Sequence, residues 1–348
     1  MKRHSILTGL FAFAALAVPS VTQAGMILGI GATFPKQVYM EWGRQYKAET
    51  GNFFAYFPHG SGRGVDAILA GKSDFGASDK PLTPQELEIN RLMQFPALIG
   101  GLVPVVNIRN IGDGQLQLDG ATLAGIYLGK IRRWNDPALV ALNPRLALPN
   151  ETINVLHRSD RSGSTYVLTD YFSKVSAEWR ATMGGASTAV AWKVGEGVDG
   201  SDNLAKQLGN TPGSIGYLDP AVVQQKHLTF VKMRNHDGMF VSPNHAAFAA
   251  AAAKAKWNAT TGYNQSLTDQ PGPDSWPLVT ATYIILARTP MEAYGTEAAL
   301  KYFDWTFRNG HETARNYGFS LIPPEAMQSV RELWKMQIKD HAGRPLWK

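Results

Sequence analysis

The sequence predicts an α/β protein that is folded into two lobes. Short apolar runs rich in Ile, Val, Phe and Tyr alternate with longer amphipathic segments, which is the pattern of strands connected by helices. The chain has 348 residues, of which 44% are hydrophobic, and this length exceeds what one hydrophobic core usually holds. Two separate cores are therefore expected.

The apolar runs predict the strands in chain order: MILGIGA, FFAYF, PALIGGLVPVVNI, INVLHR, SIGYL, LTFVKM and TATYIILAR. Helices are expected where apolar residues recur at spacings of three and four, as at Val38, Trp42 and Tyr46 after the first strand. The same spacing marks 330–338 near the C-terminus. The alanine-rich run after His245 predicts an ordinary helix, because alanine is the best helix former.

Two places are candidates for chain crossings between the lobes. One is the end of the strand at LVPVVNIRN, and the other is the breaker-rich stretch QPGPDSWP at 270–277. The predicted first lobe comprises residues 25–107 together with 278–348, and the predicted second lobe comprises 108–277. Two crossings of this kind would form a hinge with a ligand cleft between the lobes.

The first 24 residues have the pattern of a secretory signal peptide. Lys2 and Arg3 precede an apolar run from Leu10 to Val18, and small residues lead to an expected cleavage after Ala24. No later run approaches the roughly 18 to 20 apolar residues of a membrane helix, and the chain has no cysteine for a disulfide or a lipid anchor. The mature protein is expected to be soluble in the periplasm.

The charge pattern does not favour a nucleic-acid or membrane partner. The formal net charge of +6 falls to +4 when Lys2 and Arg3 leave with the signal peptide, and no cluster of five or six like charges occurs. The charge is compatible with an anionic ligand. The usual catalytic motifs fail on spacing: GIGATF lacks the third glycine of a dinucleotide loop, and HETAR lacks the second histidine of a zinc motif.

A different local pattern occurs three times, in which a strand ends in small or hydroxyl-bearing residues and a helix starts at once. It is found at GATFP from Gly31, at GSG from Gly60 and at SGST from Ser162. A helix start has up to four free backbone N–H groups and partial positive charge, so an anion can satisfy both. Simple capping explains one such turn, but three together predict an anion site.

Two charged residues complete this predicted site. Arg158, at the end of INVLHR, offers a planar fork for two oxyanion oxygens, although a surface ion pair is the alternative. Asp79 in FGASDKP is either a turn residue or an acceptor for an anion that still carries a proton. Phosphate has such a proton near neutral pH and sulfate does not. Asp79 therefore predicts selection of phosphate, because like charges repel strongly in a desolvated site.

At these residues the sequence closely resembles the periplasmic phosphate-binding proteins of bacterial ABC importers. The resemblance covers nearly the whole mature chain and rests on a series of motifs in the family's order and spacing: GATFP, ETGN, SDFGASD, QFP with IGG, LDGATLAGIYLGKI, WNDPAL, LNP, IGY, SWP, KYFDW and IKDHAGRPL. It implies the type II periplasmic binding protein fold, an α/β fold of two lobes that close over one phosphate.

The resemblance also implies the roles of single residues. It carries over a phosphate-binding set by motif position: Thr33, Phe34, Ser61, Asp79, Arg158, Ser162, Gly163 and Ser164. Asp160 resembles the acidic residue that orients the arginine. Members of this family deliver phosphate to membrane permease subunits. The resemblance therefore implies a monomeric receptor with no cofactor, no metal and no catalytic residue.

The sequence departs from the family pattern beside the site. Arg161 stands where the family usually has glycine or another small residue, and Gly62-Arg63 stands where serine-glycine is common. Arg161 would distort its loop if that position had positive φ. Two alternatives to a phosphate receptor stay open at this point: a secreted phosphatase, and a receptor of the same fold for another oxyanion.

Overall fold

The structure is a computed structural model, and it describes residues 25–348; the predicted signal peptide lies outside this range. The strands follow one another as β1 (Met26–Gly31), β2 (Phe53–Phe57), β3 (Phe75–Ser78), β4 (Leu92–Gly101), β5 (Val103–Asn107), β6 (Gln117–Leu118), β7 (Asn154–Arg158), β8 (Glu196–Val198), β9 (Ser214–Leu218), β10 (Thr229–Phe230), β11 (Lys232–Arg234), β12 (Phe240–Val241) and β13 (Val279–Ala287).

The helices between the strands are α1 (Lys36–Thr50), α2 (Ser61–Leu69), α3 (Pro84–Ile89), α4 (Gly120–Tyr127), α5 (Pro137–Leu142), α6 (Gly163–Val175), α7 (Ala177–Met183), α8 (Ser201–Asn210), α9 (Pro220–Lys226), α10 (His245–Ala252), α11 (Ala293–Asn309), α12 (His311–Asn316) and α13 (Pro324–Gln337). Within residues 25–348, every helix is too short or too polar to span a bilayer.

The strands form two five-stranded mixed sheets, one for each lobe. The first sheet has the order β2-β1-β3-β13-β4, and the second has the order β10-β5-β9-β7-β8. A small third sheet joins β12, β11 and β6. Within the first sheet β2, β1 and β3 are parallel, and within the second β9, β7 and β8 are parallel. The two-lobed α/β fold predicted from the sequence is therefore confirmed.

The chain crosses between the sheets at Leu102. The predicted single strand PALIGGLVPVVNI is divided there, because β4 pairs with β13 in the first sheet and β5 pairs with β9 in the second. Leu102 is held at the crossing by two hydrogen bonds: its N–H donates to the Leu278 carbonyl at 2.7 Å, and its carbonyl accepts from Trp276 Nε1 at 2.9 Å.

These contacts refine the predicted lobe boundaries, which remain a proposal. Strand pairing puts β5 in the second lobe, so the outgoing crossing lies at Leu102 instead of Asn107. Helix α10 packs on β4 and β13 in the first lobe, although the sequence assigned its residues to the second. The chain therefore returns before α10, and the breaker-rich stretch at 270–277 lies within the returned segment.

Several loops at the facing edges of the two lobes follow the carboxyl ends of parallel strands. In the first lobe β1 leads into α1, β2 leads into α2, and β3 ends beside Asp79. In the second lobe β7 ends at Arg158 before α6, and β8 leads into α8. Because the carboxyl ends of neighbouring parallel strands meet at one edge of a sheet, residues far apart in sequence are brought together in the cleft.

Candidate functional site

The predicted anion-binding turns lie in the cleft and are buried. Ser61 is the first residue of α2, Ser162 is the N-cap of α6, and Thr33 lies between β1 and α1. The predicted first helical position of Pro35 differs slightly, because α1 begins one residue later and Pro35 is its N-cap. All of the predicted binding side chains are buried, and Asp79 and Arg158 are only 1% and 3% exposed.

Arg158 is held by Asp160 and bridges the two lobes. Its Nε donates to Asp160 Oδ1 at 2.6 Å and its Nη2 donates to Oδ2 at 2.5 Å, so the carboxylate occupies one edge of the guanidinium. Nη1 donates across the cleft to Thr33 Oγ1 at 3.0 Å and within its own lobe to Ser201 Oγ at 2.9 Å. The bidentate contact fixes the plane of the guanidinium before any ligand arrives.

Ser201 belongs to this cluster and was not predicted. It is the first residue of α8, and its hydroxyl shares a hydrogen bond of 2.7 Å with Thr33 Oγ1. The preceding Gly200 N–H donates to Asp160 Oδ1 at 3.3 Å. The segment VDGSDN has the same order of strand, small residues and helix as the three predicted turns, but its strand β8 has only three residues.

Asp79 is a buried acid with an oriented carboxyl group. Thr282 Oγ1, from the middle of β13, donates to Asp79 Oδ1 at 2.6 Å. Burial raises the pKa of Asp79 to about 7, and the Thr282 hydrogen bond and the charge of Arg158 only partly oppose this effect. Near neutral pH the group is therefore able either to donate or to accept a proton.

The second carboxyl oxygen of Asp79 lies where the two lobes meet. A Cβ atom on Gly163 would be 2.6 Å from Asp79 Oδ2 and 2.3 Å from Ser61 Oγ. Real side chains do not approach this closely, so the N-terminus of α6 reaches these groups only with glycine at this position. Ser61 Oγ in turn accepts the Asp79 N–H at 3.1 Å. Donors from both lobes and one acid therefore surround the same point.

The departures from the family pattern do not distort the site. Arg161 does not have positive φ; its side chain is half exposed and forms an ion pair with Asp66. Arg63 is exposed at a cavity of about 240 Å³ at the mouth of the cleft. His157 is buried and stacks on Trp192 with 4.8 Å between ring centroids, and burial lowers its pKa. His157 is therefore a neutral packing residue near pH 7.

The arrangement can bind a tetrahedral oxyanion. It combines a pre-oriented guanidinium, hydroxyl groups, helix N-termini and one acid that can gain or lose a proton near neutral pH. Among residues 25–348, no group of three or more His, Asp or Glu side chains could hold a metal ion. The predicted binding residues and Asp160 lie together in the cleft; their contacts with a ligand remain a prediction.

Comparisons with known proteins agree with this geometry. Residues 17–309 match the family model of the PBP superfamily domain. The phosphate-binding protein PstS of Pasteurella multocida is 41% identical over 346 residues, which is 99% of each chain. That of Haemophilus influenzae is 42% identical over 317 residues, covering 91% of this chain and 95% of the relative. The structure of the periplasmic phosphate-binding protein PfluDING has the same fold, with a TM-score of 0.70 at 20% identity, covering 88% of this chain and 93% of that chain.

Proposed function

Because this chain belongs to the PstS family of phosphate-binding proteins, within the PBP superfamily, we propose that it captures inorganic phosphate for an ABC importer. The observation that carries the proposal is the pairing of one buried, pre-oriented arginine with one buried acid whose pKa lies near neutrality. The first supplies positive charge for any oxyanion. The second accepts or donates one proton, which suits an anion that keeps a proton near neutral pH, as phosphate does and sulfate does not.

Phosphate would lie between the helix starts of the two lobes. Nη1 of Arg158 would exchange its hydrogen bonds to Thr33 and Ser201 for a phosphate oxygen, while Asp160 keeps the plane of the guanidinium. The two hydroxyls share a hydrogen bond of 2.7 Å, so one of their two protons would point at the anion. The N-termini of α2 and α6 add backbone N–H groups at no cost in reorganisation. The proposed ligands are of three kinds. The backbone amides are those of Phe34 and Gly163, and the charged groups are those of Arg158 and Asp79. The hydroxyl donors are those of Thr33, Ser61, Ser162 and Ser164.

Asp79 would distinguish phosphate from sulfate. Thr282 occupies Oδ1, which leaves Oδ2 to face the point between Ser61 and Gly163. Phosphate near pH 7 still has an O–H that can donate to ionised Oδ2. Sulfate has no proton, so it would bind either beside ionised Asp79, with a like-charge repulsion of several kcal/mol, or after Asp79 takes up a proton, which costs about 1.4 kcal/mol for each pH unit above its pKa.

Binding without chemical turnover fits the groups in the site. A phosphatase would need a nucleophile beside a base, or a metal cluster. The buried serines of the cleft have Arg158 and Asp79 as charged neighbours, and His157 points its ring against Trp192. The relatives are named as binding proteins. We therefore infer a receptor that is exported and cleaved after Ala24. It would act as a periplasmic monomer, and its closed form would bind to the permease subunits.

Titration calorimetry tests this proposal. The chain from Gly25 to Lys348, stripped of bound ligand, is titrated with phosphate and then with sulfate at matched ionic strength. We expect tight one-to-one binding of phosphate and no heat with sulfate. Absence of phosphate binding by the folded, stripped protein would contradict the proposal. Release of phosphate from a phosphate ester, lost on replacement of Ser61, would instead support the phosphatase.

A further inference from the structure

Two ion pairs cross the mouth of the cleft, one on each side of the proposed phosphate site. Arg161 of the second lobe pairs with Asp66 of α2, and Lys36 of α1 pairs with Asp202 of α8. Each pair joins a helix of one lobe to the other lobe beside a residue of the site: Ser61 starts α2 and Ser201 starts α8. The pairs therefore connect the elements that would separate when the cleft opens.

Arg161 makes two contacts with successive turns of α2. Its carbonyl accepts the Gly62 N–H at 3.0 Å, and its guanidinium reaches Asp66 one turn further along the helix. A Cβ atom on Gly62 would lie 2.5 Å from Arg161 Cβ, so the two backbones approach very closely. On the other side, Gln37 Nε2 donates to Gln225 Oε1 at 3.1 Å, next to the pair formed by Lys36.

These contacts exist only while the lobes are closed. The side chains of Arg161 and Asp66 are 50% and 57% exposed, and those of Lys36 and Asp202 are 30% and 55% exposed. Exposed ion pairs are weak, so each is worth roughly a two- to fivefold change in an equilibrium or rate. Because neither pair lies within one lobe, that effect acts on opening of the cleft and not on folding of a lobe.

We propose that these two ion pairs form a latch that slows the release of phosphate. The latch rests on the proposed function only in taking phosphate as the ligand. Its residues do not contact the anion; they are positioning residues that hold together the helix N-termini of the two lobes. Opening breaks both pairs and the Gly62–Arg161 hydrogen bond, so the residence time of phosphate depends on them.

Replacing Asp66 distinguishes loss of this latch from a change in the electrostatic field that acts on the bound phosphate. Asp66→Asn removes a negative charge near the mouth, and the change in field alone would hold phosphate more tightly and slow its release. Loss of the latch would speed release instead. Asp199 is the control for the field, because it lines the mouth cavity together with Asp202 and forms no ion pair among the described residues. Asp199→Asn therefore shows the field effect by itself.

The experiment measures the release of labelled phosphate from the full mature chain, chased with unlabelled phosphate. At low ionic strength we expect release roughly two- to fivefold faster for Asp66→Asn and for Asp202→Asn, and unchanged or slower for Asp199→Asn. The double variant Asp66→Asn with Arg161→Gln keeps the net charge of the wild type and lacks the ion pair, so it should also release phosphate faster than the wild type. Near 1 M salt, where the Debye length falls to about 3 Å, the wild-type rate should approach that of Asp66→Asn.

The latch is overturned if Asp66→Asn and Asp202→Asn release phosphate at the wild-type rate or more slowly. It is also overturned if Asp199→Asn speeds release equally, since loss of charge anywhere at the mouth would then be the cause. Failure of the proposed function gives a different result, because the wild-type chain would then retain no labelled phosphate at any salt concentration.

Discussion

Replacing Asp79 by Asn is the most direct test of how phosphate is selected. The change is nearly isosteric, and Thr282 continues to donate to the oxygen at the Oδ1 position, which it now contacts at 2.6 Å. The amide nitrogen then takes the place of Oδ2, between Ser61 and Gly163. A carboxylate oxygen that accepts a hydrogen bond at pH 8 is thereby exchanged for an amide nitrogen that only donates hydrogen bonds.

The two anions should respond in opposite directions. Phosphate loses a hydrogen bond to a charged acceptor, worth about 1.5–3 kcal/mol. In the wild type sulfate binds at lowest cost when Asp79 takes up a proton, which costs about 1.4 kcal/mol at pH 8 for a pKa of about 7; the amide removes that cost and offers a donor. Taking about 2 kcal/mol for the first effect and about 1.4 kcal/mol for the second, the preference for phosphate falls by more than two orders of magnitude, since 1.4 kcal/mol is a factor of ten.

The assay is calorimetric titration of both anions at pH 8, where an acid with a pKa of about 7 is mostly ionised. Asp219→Asn is the control, because burial also raises the pKa of Asp219 to about 7 and its N-cap bond from Val222 N–H would be kept. A ratio of phosphate to sulfate affinity that stays within about threefold of wild type in Asp79→Asn, against the expected change of more than about a hundredfold, would refute the reasoning.

Three further predictions follow from the same geometry. Arg158→Ala should weaken phosphate binding by about 3–5 kcal/mol in calorimetry, because it removes one partner of a buried charge cluster; near-native affinity would exclude its proposed role. Gly163→Ala should weaken binding roughly 5- to 150-fold with little change in Tm, because its methyl group would meet Ser61 only when the lobes close. Without ligand, the Tm should fall as pH rises from about 4 to about 7, because Asp79 and Asp219 stay protonated in the folded chain and ionise in the unfolded one. A Tm that rises across this range, or a slope unchanged in Asp79→Asn with Asp219→Asn, would contradict that assignment.

Local features of the sequence were sufficient to predict the three helix starts that lie in the cleft. Each turn needs only a strand, small or hydroxyl-bearing residues and a helix start, and all of these are contiguous in the chain. Ser201 was missed because the strand before it, β8, has three residues and too little apolar character to be recognised. Thr282 was missed because it lies inside an apolar strand, where its hydroxyl gives no local signal of a partner 203 residues away.

The crossing between lobes could not be located from the apolar pattern. β4 and β5 read as one strand because both are buried, and apolar content does not reveal which sheet a strand joins. Only the pairing partners, β13 for one and β9 for the other, separate them at Leu102. The ion pair of Arg161 with Asp66 could not be predicted from the sequence either, because it joins residues of different lobes and depends on how the lobes close.

The position of β13 in the first sheet has a consequence for folding. β13 lies between β3 and β4, yet the ribosome makes it only after the whole second sheet. The first lobe therefore lacks one interior strand, with the edges of β3 and β4 unpaired, at a stage when the second sheet already has all of its strands. Contacts so distant in sequence are slow to form. Synthesis order thus predicts that the second lobe acquires hydrogen-exchange protection first, and that the first lobe is the one that needs protection from aggregation while the chain is incomplete.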